Sequence, residues 1–110
     1  MKERIKRINE LIKEVLSQIV FKQTDFEGVL VTLTRVETEK DLKKAKVFVS
    51  IIPEKMEKEV FEILKKKKNY FRHLLGKKVF LKKIPEIEFL IDKGEKKAQK
   101  IIEILEKIKK

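Results

Sequence analysis

The stretch from residue 63 to residue 85 carries nine lysines and arginines and no aspartate or glutamate. Apolar and aromatic residues are interleaved with these cations, among them Tyr70, Phe71 and Phe80. A run of charges that is only solvated would lack the apolar residues, whereas a core segment would lack the lysines. A folded, basic ridge of this kind has the chemistry to bind a polyanion, because its cations can neutralise phosphates.

The cations of this stretch, together with those at the start of the chain, are the candidates for phosphate contact. Such contacts set affinity and orientation rather than the choice of nucleotide sequence. Lys65, Lys68 and Arg72 share one helix face if the helix continues unbent through residue 69. The alternative is that these cations are only solvated. The residues predicted to bind nucleic acid are Arg4, Lys6, Arg7, Lys65, Lys66, Lys67, Lys68, Asn69, Arg72, Lys77 and Lys78.

Aromatic residues could stack on unpaired bases, as they do in proteins that bind single strands. Tyr70 is about as compatible with stacking as with packing. Phe71 begins a predicted short helix and is expected in the core. Phe48 has the strand parity opposite to that of its apolar neighbours, and we expect a chain end to cover it.

The sequence contains no pattern typical of a catalytic centre. His73 is the only histidine, and neither H-x-H nor H-E-x-x-H spacing occurs, so a surface histidine is expected. Glu86, Glu88 and Asp92 share one strand parity and could in principle hold Mg²⁺, but acids on an exposed strand face are far commoner. The absence of cysteine excludes thiolate zinc sites and cysteine nucleophiles. We predict a protein that is not an enzyme and uses no metal or cofactor.

The composition is strongly basic, with 29 Lys and Arg against 18 Asp and Glu and a net charge of +11. This balance favours nucleic acid or an anionic membrane surface as partner. A genome rich in A and T, or a thermophilic source, would also raise the lysine content, but neither explains the gap in acids. No apolar run approaches the roughly 18 residues of a membrane span, and the N-terminus lacks an apolar signal core. We expect one cytoplasmic domain over residues 1–110 that does not enter a membrane.

Hydrophobic spacing predicts the first elements that position these residues. Residues 3–20 place apolar side chains every three or four positions, which is typical of an amphipathic helix. Residues 29–37 and 45–52 alternate and are rich in β-branched residues, which predicts two strands in a hairpin. A helix is expected to begin at Pro53, where the missing N–H costs nothing.

The second half of the chain is predicted to turn at Asn69, which tolerates the left-handed conformation and can end one helix. A short helix over residues 70–75 should stop at Gly76, followed by a strand region over 79–92 with Pro85 at an edge or bulge. Asp92 can cap a last helix with apolar residues at 98, 101, 102, 105 and 108. The order α-β-β-α-α-β-α predicts an α+β fold whose three-stranded sheet has helices on one face.

Three segments carry a more specific pattern. The first helix begins R-x-x-R at residue 4 and ends its apolar stripe at Ile19-Val20, and residues 41–50 read D-L-x-x-A-x-V-x-V-S. Residues 71–78 read F-R-x-L-L-G-K-K, and residues 84–92 read I-P-E-I-x-F-x-x-D. In this order and spacing the chain resembles the bacterial ribosome-binding factor A family.

The resemblance implies a type II K-homology-like fold in a non-enzymatic protein that binds the free small (30S) ribosomal subunit. It implies assistance in the maturation and processing of 16S rRNA, including its precursor ends, with importance in the cold. We expect a monomer when the protein is off the ribosome. The family lacks the G-x-x-G loop of K-homology domains and typically has A-x-G at the kink between its middle helices. Here the kink is Lys67-Lys68-Asn69, so the approach to phosphate is rich in lysine.

Two alternatives remain open at this point. The chain could be a general K-homology RNA-binding protein without a ribosomal role, although the I-P-E-I-x-F strand and the missing G-x-x-G argue against it. It could also be a protein-interaction module that acts through its sheet edge or its amphipathic last helix. Salt-sensitive RNA binding would separate the second alternative from the main interpretation.

Overall fold

Residues 2–24 and 26–94 are described by the computed structural model of the protein. A short 3-10 turn at Glu54–Met56 precedes the second α-helix. Within the described ranges, no helix combines the length and the apolar character needed to cross a bilayer. The main elements are α1 (Lys2–Gln23), β1 (Leu30–Thr38), β2 (Lys44–Ile52), α2 (Glu57–Lys66), α3 (Lys68–Lys78) and β3 (Glu86–Ile91).

The three strands form one sheet in the order β1-β2-β3. β1 and β2 pair antiparallel, which confirms the predicted hairpin. β3 pairs parallel to β2, and a parallel pair needs a crossover, which α2 and α3 supply. The predicted α+β order is therefore confirmed as far as β3.

The last predicted helix lies outside the described residues beyond Gly94. Its expected cap is within them: the Asp92 Oδ1 atom accepts a hydrogen bond from the backbone N–H of Gly94 at 3.1 Å. This is the contact that an N-cap carboxylate makes with the second residue of a helix. Lys93 and Gly94 have helical backbone geometry.

The core lies between one face of the sheet and the helices, as the alternating strands predicted. Ile12 and Leu16 of α1 and Val47 and Val49 of β2 are fully buried. Phe71 of α3 is also fully buried, and its ring meets that of Phe89 edge-on with centroids 6.1 Å apart. The expectation that Phe71 belongs to the core is confirmed.

A β-bulge interrupts the first strand between Leu33 and Arg35, where simple alternation had been expected. Because the bulge inserts one extra residue, Leu33 and Val36 both face the core. The Arg35 guanidinium lies 4.0 Å from the centroid of the Phe48 ring on the opposite face. Arg35 therefore covers part of Phe48, which is half-buried. A chain end was also expected to cover it, and the chain end beyond Gly94 lies outside the described residues.

The break between α2 and α3 is at Lys67, so the predicted left-handed turn at Asn69 is wrong. Lys67 has φ −92° and ψ 2°, and Asn69 lies inside α3. The Lys67 N–H is shared between the carbonyls of Ile63 at 3.1 Å and Leu64 at 3.2 Å, a common way to end a helix. The Lys67 carbonyl accepts from the Phe71 N–H at 2.9 Å, which starts the next helix at once. No left-handed residue is needed for this turn.

Two further boundaries differ from the sequence prediction. α3 continues through Gly76 to Lys78, so Gly76 does not end it. The strand begins at Glu86, directly after the buried Pro85, and not at Val79. Residues 79–85 therefore form a loop, which we name the α3–β3 loop.

Candidate nucleic-acid interface

The acid-free basic stretch folds into the end of α2, all of α3 and the α3–β3 loop. Its apolar residues Leu64, Phe71 and Leu75 are fully buried, whereas its lysines are exposed or half-buried. The interleaving seen in the sequence is thus the period of a helix with one buried face and one cationic face. The predicted basic ridge is present as a folded surface.

Lys67 and Tyr70 tie the helix break to the end of α1. The Lys67 Nζ atom donates to the backbone carbonyl of Gln23 at 3.3 Å, and the Tyr70 hydroxyl donates to Gln23 Oε1 at 3.3 Å. Cations are favourable beside the carbonyl end of a helix, because its unpaired carbonyls carry partial negative charge. Lys67 is therefore engaged in holding α1 against α3, and Tyr70 remains about half exposed.

The other lysines at the break differ in their partners. Lys65 Nζ lies 3.5 Å from Glu62 Oε1 and over the ring of Phe61. An exposed pair of this kind is weak, so it holds the side chain only loosely. Lys66 and Lys68 are exposed, and neither has a hydrogen-bond or ion-pair partner among the described residues. We call Lys66 and Lys68 the break lysines.

Arg72 fixes the α3–β3 loop against α3. Its Nε and Nη2 atoms donate to the backbone carbonyl of Ile84 at 3.1 and 2.7 Å. Gly76 faces the same part of the loop, where a Cβ atom would meet Ile84 Cγ1 at 3.4 Å, an ordinary van der Waals distance. Arg72, predicted as an RNA contact, thus has a positioning role that uses two of its three guanidinium nitrogens.

A shallow, cationic cleft of about 720 Å³ runs between α3 and the α3–β3 loop. The polar residues that α3 contributes to the cleft are spaced i, i+3, i+4 and i+8 along the sequence, which places them on one helix face. Carboxylates are absent from its lining among the described residues. The polar side chains that line it are Asn69, Arg72, His73, Lys77, Lys82 and Lys83.

The cleft joins predicted residues to two that the sequence interpretation missed. Asn69, Arg72 and Lys77 were predicted, whereas Lys82 and Lys83 were assigned to a strand and left out. The available signal for a loop was their position just before Pro85, a residue that interrupts secondary structure. Lys78 is exposed but does not line the cleft.

Arg4, Lys6 and Arg7 are exposed on the first two turns of α1. Sixteen helical residues separate Arg7 from Gln23, which corresponds to about 24 Å along the helix axis. The structure therefore does not bring these three residues beside the α2–α3 break. Lys6 instead lines a groove with Lys13 and the Arg35 of β1, where Glu10 also contributes.

Two of the three acids near the end of the sheet have other partners. Asp92 Oδ2 accepts from the Thr34 hydroxyl at 2.6 Å, and Glu88 lies 3.5 Å from Lys44 Nζ. Over the described ranges, no group of three His, Cys, Asp or Glu side chains could hold a metal ion. His73 is exposed at the cleft, as expected for a surface histidine.

Comparison with known proteins gives a consistent result. Residues 4–105 match the family model described as "Ribosome-binding factor A". The ribosome-binding factor A of Coxiella burnetii is 35% identical over 108 residues, which cover 97% of this chain and 91% of that protein. The crystal structure of ribosome-binding factor A from Thermus thermophilus has a similar fold, with a TM-score of 0.71 at 21% identity over 79% of this chain and 94% of that one. A homology model of the Thermus thermophilus factor, fitted into the cryo-EM map of a 30S complex, is similar with a TM-score of 0.62 at 21% identity, over 73% of this chain and 86% of that one.

Proposed function

The chain belongs to the ribosome-binding factor A family, and on this premise we propose that it binds the free small ribosomal subunit through the cationic surface of α3. Its α+β architecture is of the type II K-homology-like kind that the resemblance implied. The single observation that carries the proposal is the stretch of 23 residues without an acid, folded into one surface on a chain of this family. The 30S complex of the Thermus thermophilus relative supports the same partner.

The break lysines and the cleft lysines (Lys77, Lys82 and Lys83) are the groups that we propose contact phosphates. They are exposed and lack ion-pair partners among the described residues. A lysine without an ion-pair partner breaks no salt bridge when it binds a phosphate, and each phosphate contact releases counterions from the RNA. These contacts fix affinity and orientation, and base contacts would have to supply any preference for sequence.

The remaining predicted RNA-binding residues at and around α3 have three roles. Lys67 and Arg72 position the surface, since both donate to backbone carbonyls of other elements. Asn69 lies at the start of the cleft and can offer its side-chain amide to RNA. Lys65 and Lys78 flank this surface as additional cations.

The cluster at the start of α1 is proposed as a second contact area. Arg4, Lys6 and Arg7 lie about 24 to 29 Å along α1 from its contact with the helix break. A ribosomal subunit is large enough to meet both areas at once, whereas a short oligonucleotide is not. We therefore propose that this cluster contributes to subunit binding more than to oligonucleotide binding.

Family membership also supports the finer parts of the proposal. We assign the protein to the maturation and processing of 16S rRNA, including its precursor ends, with its greatest importance in the cold. It acts without catalysis, as a monomer when off the ribosome, in the cytoplasm. The match over residues 4–105 argues against a general K-homology RNA-binding protein.

Sedimentation with purified subunits tests the proposed partner. Labelled protein is mixed with free 30S or 50S subunits at equal concentration and moderate salt, and the bound fraction is measured after pelleting. We expect saturable binding to 30S subunits and only weak, non-saturating binding to 50S subunits, which present a similar phosphate density. Equal binding to the two subunits would show non-specific attraction to RNA and contradict the proposal.

A further inference from the structure

Phe80 is an aromatic residue that the basic surface displays to solvent. Its relative exposure is 105%, so the ring makes almost no contact with the described protein. Its neighbours Val79 and Leu81 are buried and half-buried, and Val79 has an extended backbone with φ −121° and ψ 147°. Because successive side chains of an extended segment point in opposite directions, packing of the neighbours directs Phe80 outward.

The α3–β3 loop, which carries Phe80, is anchored to the rest of the protein at both ends. Arg72 anchors the loop near its end through two hydrogen bonds to the Ile84 carbonyl, and Pro85 is fully buried. At the other end, the Val79 N–H donates to the Leu75 carbonyl at 3.1 Å and closes α3. Phe80 therefore stands on a loop that is fixed at both ends.

Phe80 does not itself line the cationic cleft, but it is close along the chain to three of the lysines that do. Two residues of chain span at most about 7 Å, so the Cα of Lys82 is within that distance of the Cα of Phe80. Lys77 and Lys83 are each three residues away, and all three lysines line the cleft. A flat apolar ring beside unpaired cations is the combination with which proteins hold unpaired nucleotides, through base stacking and phosphate contact.

We propose that Phe80 and the adjoining cleft form a binding site for single-stranded RNA, in which one unpaired base stacks on the Phe80 ring. The phosphates that flank this base then contact Lys77, Lys82 and Lys83 in the cleft. The proposal rests on the proposed function and deepens it, because it names an unpaired segment rather than a duplex as the RNA at this surface. A paired base is stacked on both faces within its helix and cannot offer a free face to the ring.

The surroundings of Phe80 favour RNA over an apolar protein partner. The second strongly exposed phenylalanine, Phe21 at 85%, lies beside Leu30 in a groove lined mainly by Phe26, Val29 and Val31. Phe80 instead stands two and three residues from Lys82 and Lys83, which belong to a cleft lining that is mostly cationic and polar. Phe21 is accordingly the matched control, an exposed aromatic residue in an apolar setting.

A single tryptophan gives a direct readout, since the chain contains none. In Phe80→Trp, stacking of a base on the indole should quench its fluorescence when an oligouridine of about ten nucleotides is added. A duplex RNA of the same length, and heparin as a polyanion without bases, should quench it little at matched occupancy. Phe21→Trp should not respond to oligouridine. Equal quenching by duplex or heparin, or no quenching by oligouridine, would overturn the proposal.

The affinity of substituted proteins for oligouridine gives a second test. Truncation of an aromatic residue that stacks on a base lowers affinity by roughly 5- to 150-fold, so Phe80→Ala should bind oligouridine that much more weakly, while Phe80→Trp and Phe21→Ala bind like the parent. Both positions are exposed, so these substitutions leave the core untouched. Parent-like affinity of Phe80→Ala would overturn the proposal. A blue-shifted, brighter Phe80→Trp signal with anionic phospholipid vesicles, but no quenching by RNA, would assign the loop to a membrane surface instead.

The two proposals fail in distinguishable ways. If the parent protein binds 30S subunits selectively and Phe80→Trp is not quenched by oligouridine, only the stacking site is wrong. If quenching occurs but 30S and 50S subunits bind equally, the RNA site stands and the choice of subunit is wrong.

Discussion

Replacement of the break lysines, Lys66 and Lys68, with glutamine should make RNA binding less sensitive to salt. Both side chains are exposed and lack partners among the described residues, so their removal breaks no intramolecular contact there. Lys67, between them, donates to the Gln23 carbonyl, and its replacement would confuse lost phosphate contact with a disturbed helix junction. The double substitution at 66 and 68 avoids that problem.

The size of the effect follows from the number of available cations. The break lysines and the cleft lysines together give five, and we assign one phosphate to each. The logarithm of the association constant should then fall with the logarithm of salt concentration at a slope of about −3.5 for single-stranded RNA. With two cations removed, the slope should be about −2.1.

The assay is fluorescence anisotropy of a labelled single-stranded RNA between about 50 and 200 mM KCl, the range over which such slopes are usually compared. The control variant replaces Lys40 and Lys55 with glutamine. Both lysines are exposed and lie outside the basic stretch of residues 63–85, so this variant should retain the slope of the parent. Circular dichroism should show the same helical content in all three proteins. An unchanged slope in the double variant would show that Lys66 and Lys68 do not contact phosphates and would place the RNA surface elsewhere, with Arg4, Lys6 and Arg7 as the next candidates. An equally shallow slope in the control variant would show that only net charge matters.

Two further predictions concern the helix break and the loop anchor. Asn69→Ala should be neutral or raise the free energy of unfolding by up to about 0.7 kcal/mol in urea titration, because residue 69 lies in a helix where alanine is favoured. A decrease of more than about 1 kcal/mol would instead indicate that Asn69 has an unusual backbone conformation that alanine cannot adopt without strain. Arg72→Met should lower the free energy of unfolding by about 1.5–3 kcal/mol, because the Ile84 carbonyl loses two hydrogen bonds from a charged group, and Arg72→Lys should recover part of that loss. Parent-like melting of both Arg72 variants would show that the loop does not depend on this anchor.

Helical and strand periodicity was sufficient to predict most of the fold. The spacing of apolar residues gave α1, the hairpin and the helix after Pro53, and the position of Phe71 gave its burial. The bulge in β1 was missed, although a signal was present: Leu33 and Val36 are both apolar but three residues apart, which breaks a period of two. Counting parity along the whole strand would have found it.

The helix break could not be located from local sequence. Residues 65–68 are four identical lysines, so nothing in them distinguishes the residue at which the helix ends. The break is set by contacts between distant parts of the chain, where Lys67 reaches the Gln23 carbonyl 44 residues earlier and Phe71 enters the core. Asparagine tolerates the left-handed conformation, which is why the turn was predicted at Asn69, but the turn at Lys67 needs no left-handed residue.

The cleft was only half predictable for a similar reason. Its α3 side follows from helical spacing, whereas its other side depends on the path of the α3–β3 loop. That path is fixed by the hydrogen bonds from Arg72 to the Ile84 carbonyl, a contact that the alternation of residues 79–84 does not reveal. Lys82, Lys83 and Phe80 were therefore outside the predicted interface.

The distribution of the protein in a native extract tests the central claim most directly. The extract is fractionated on a sucrose gradient at a magnesium concentration that keeps the subunits and polysomes intact, and each fraction is blotted for this protein. We expect a peak with free 30S subunits and depletion from polysomes. A peak with 50S subunits or with polysomes would contradict it.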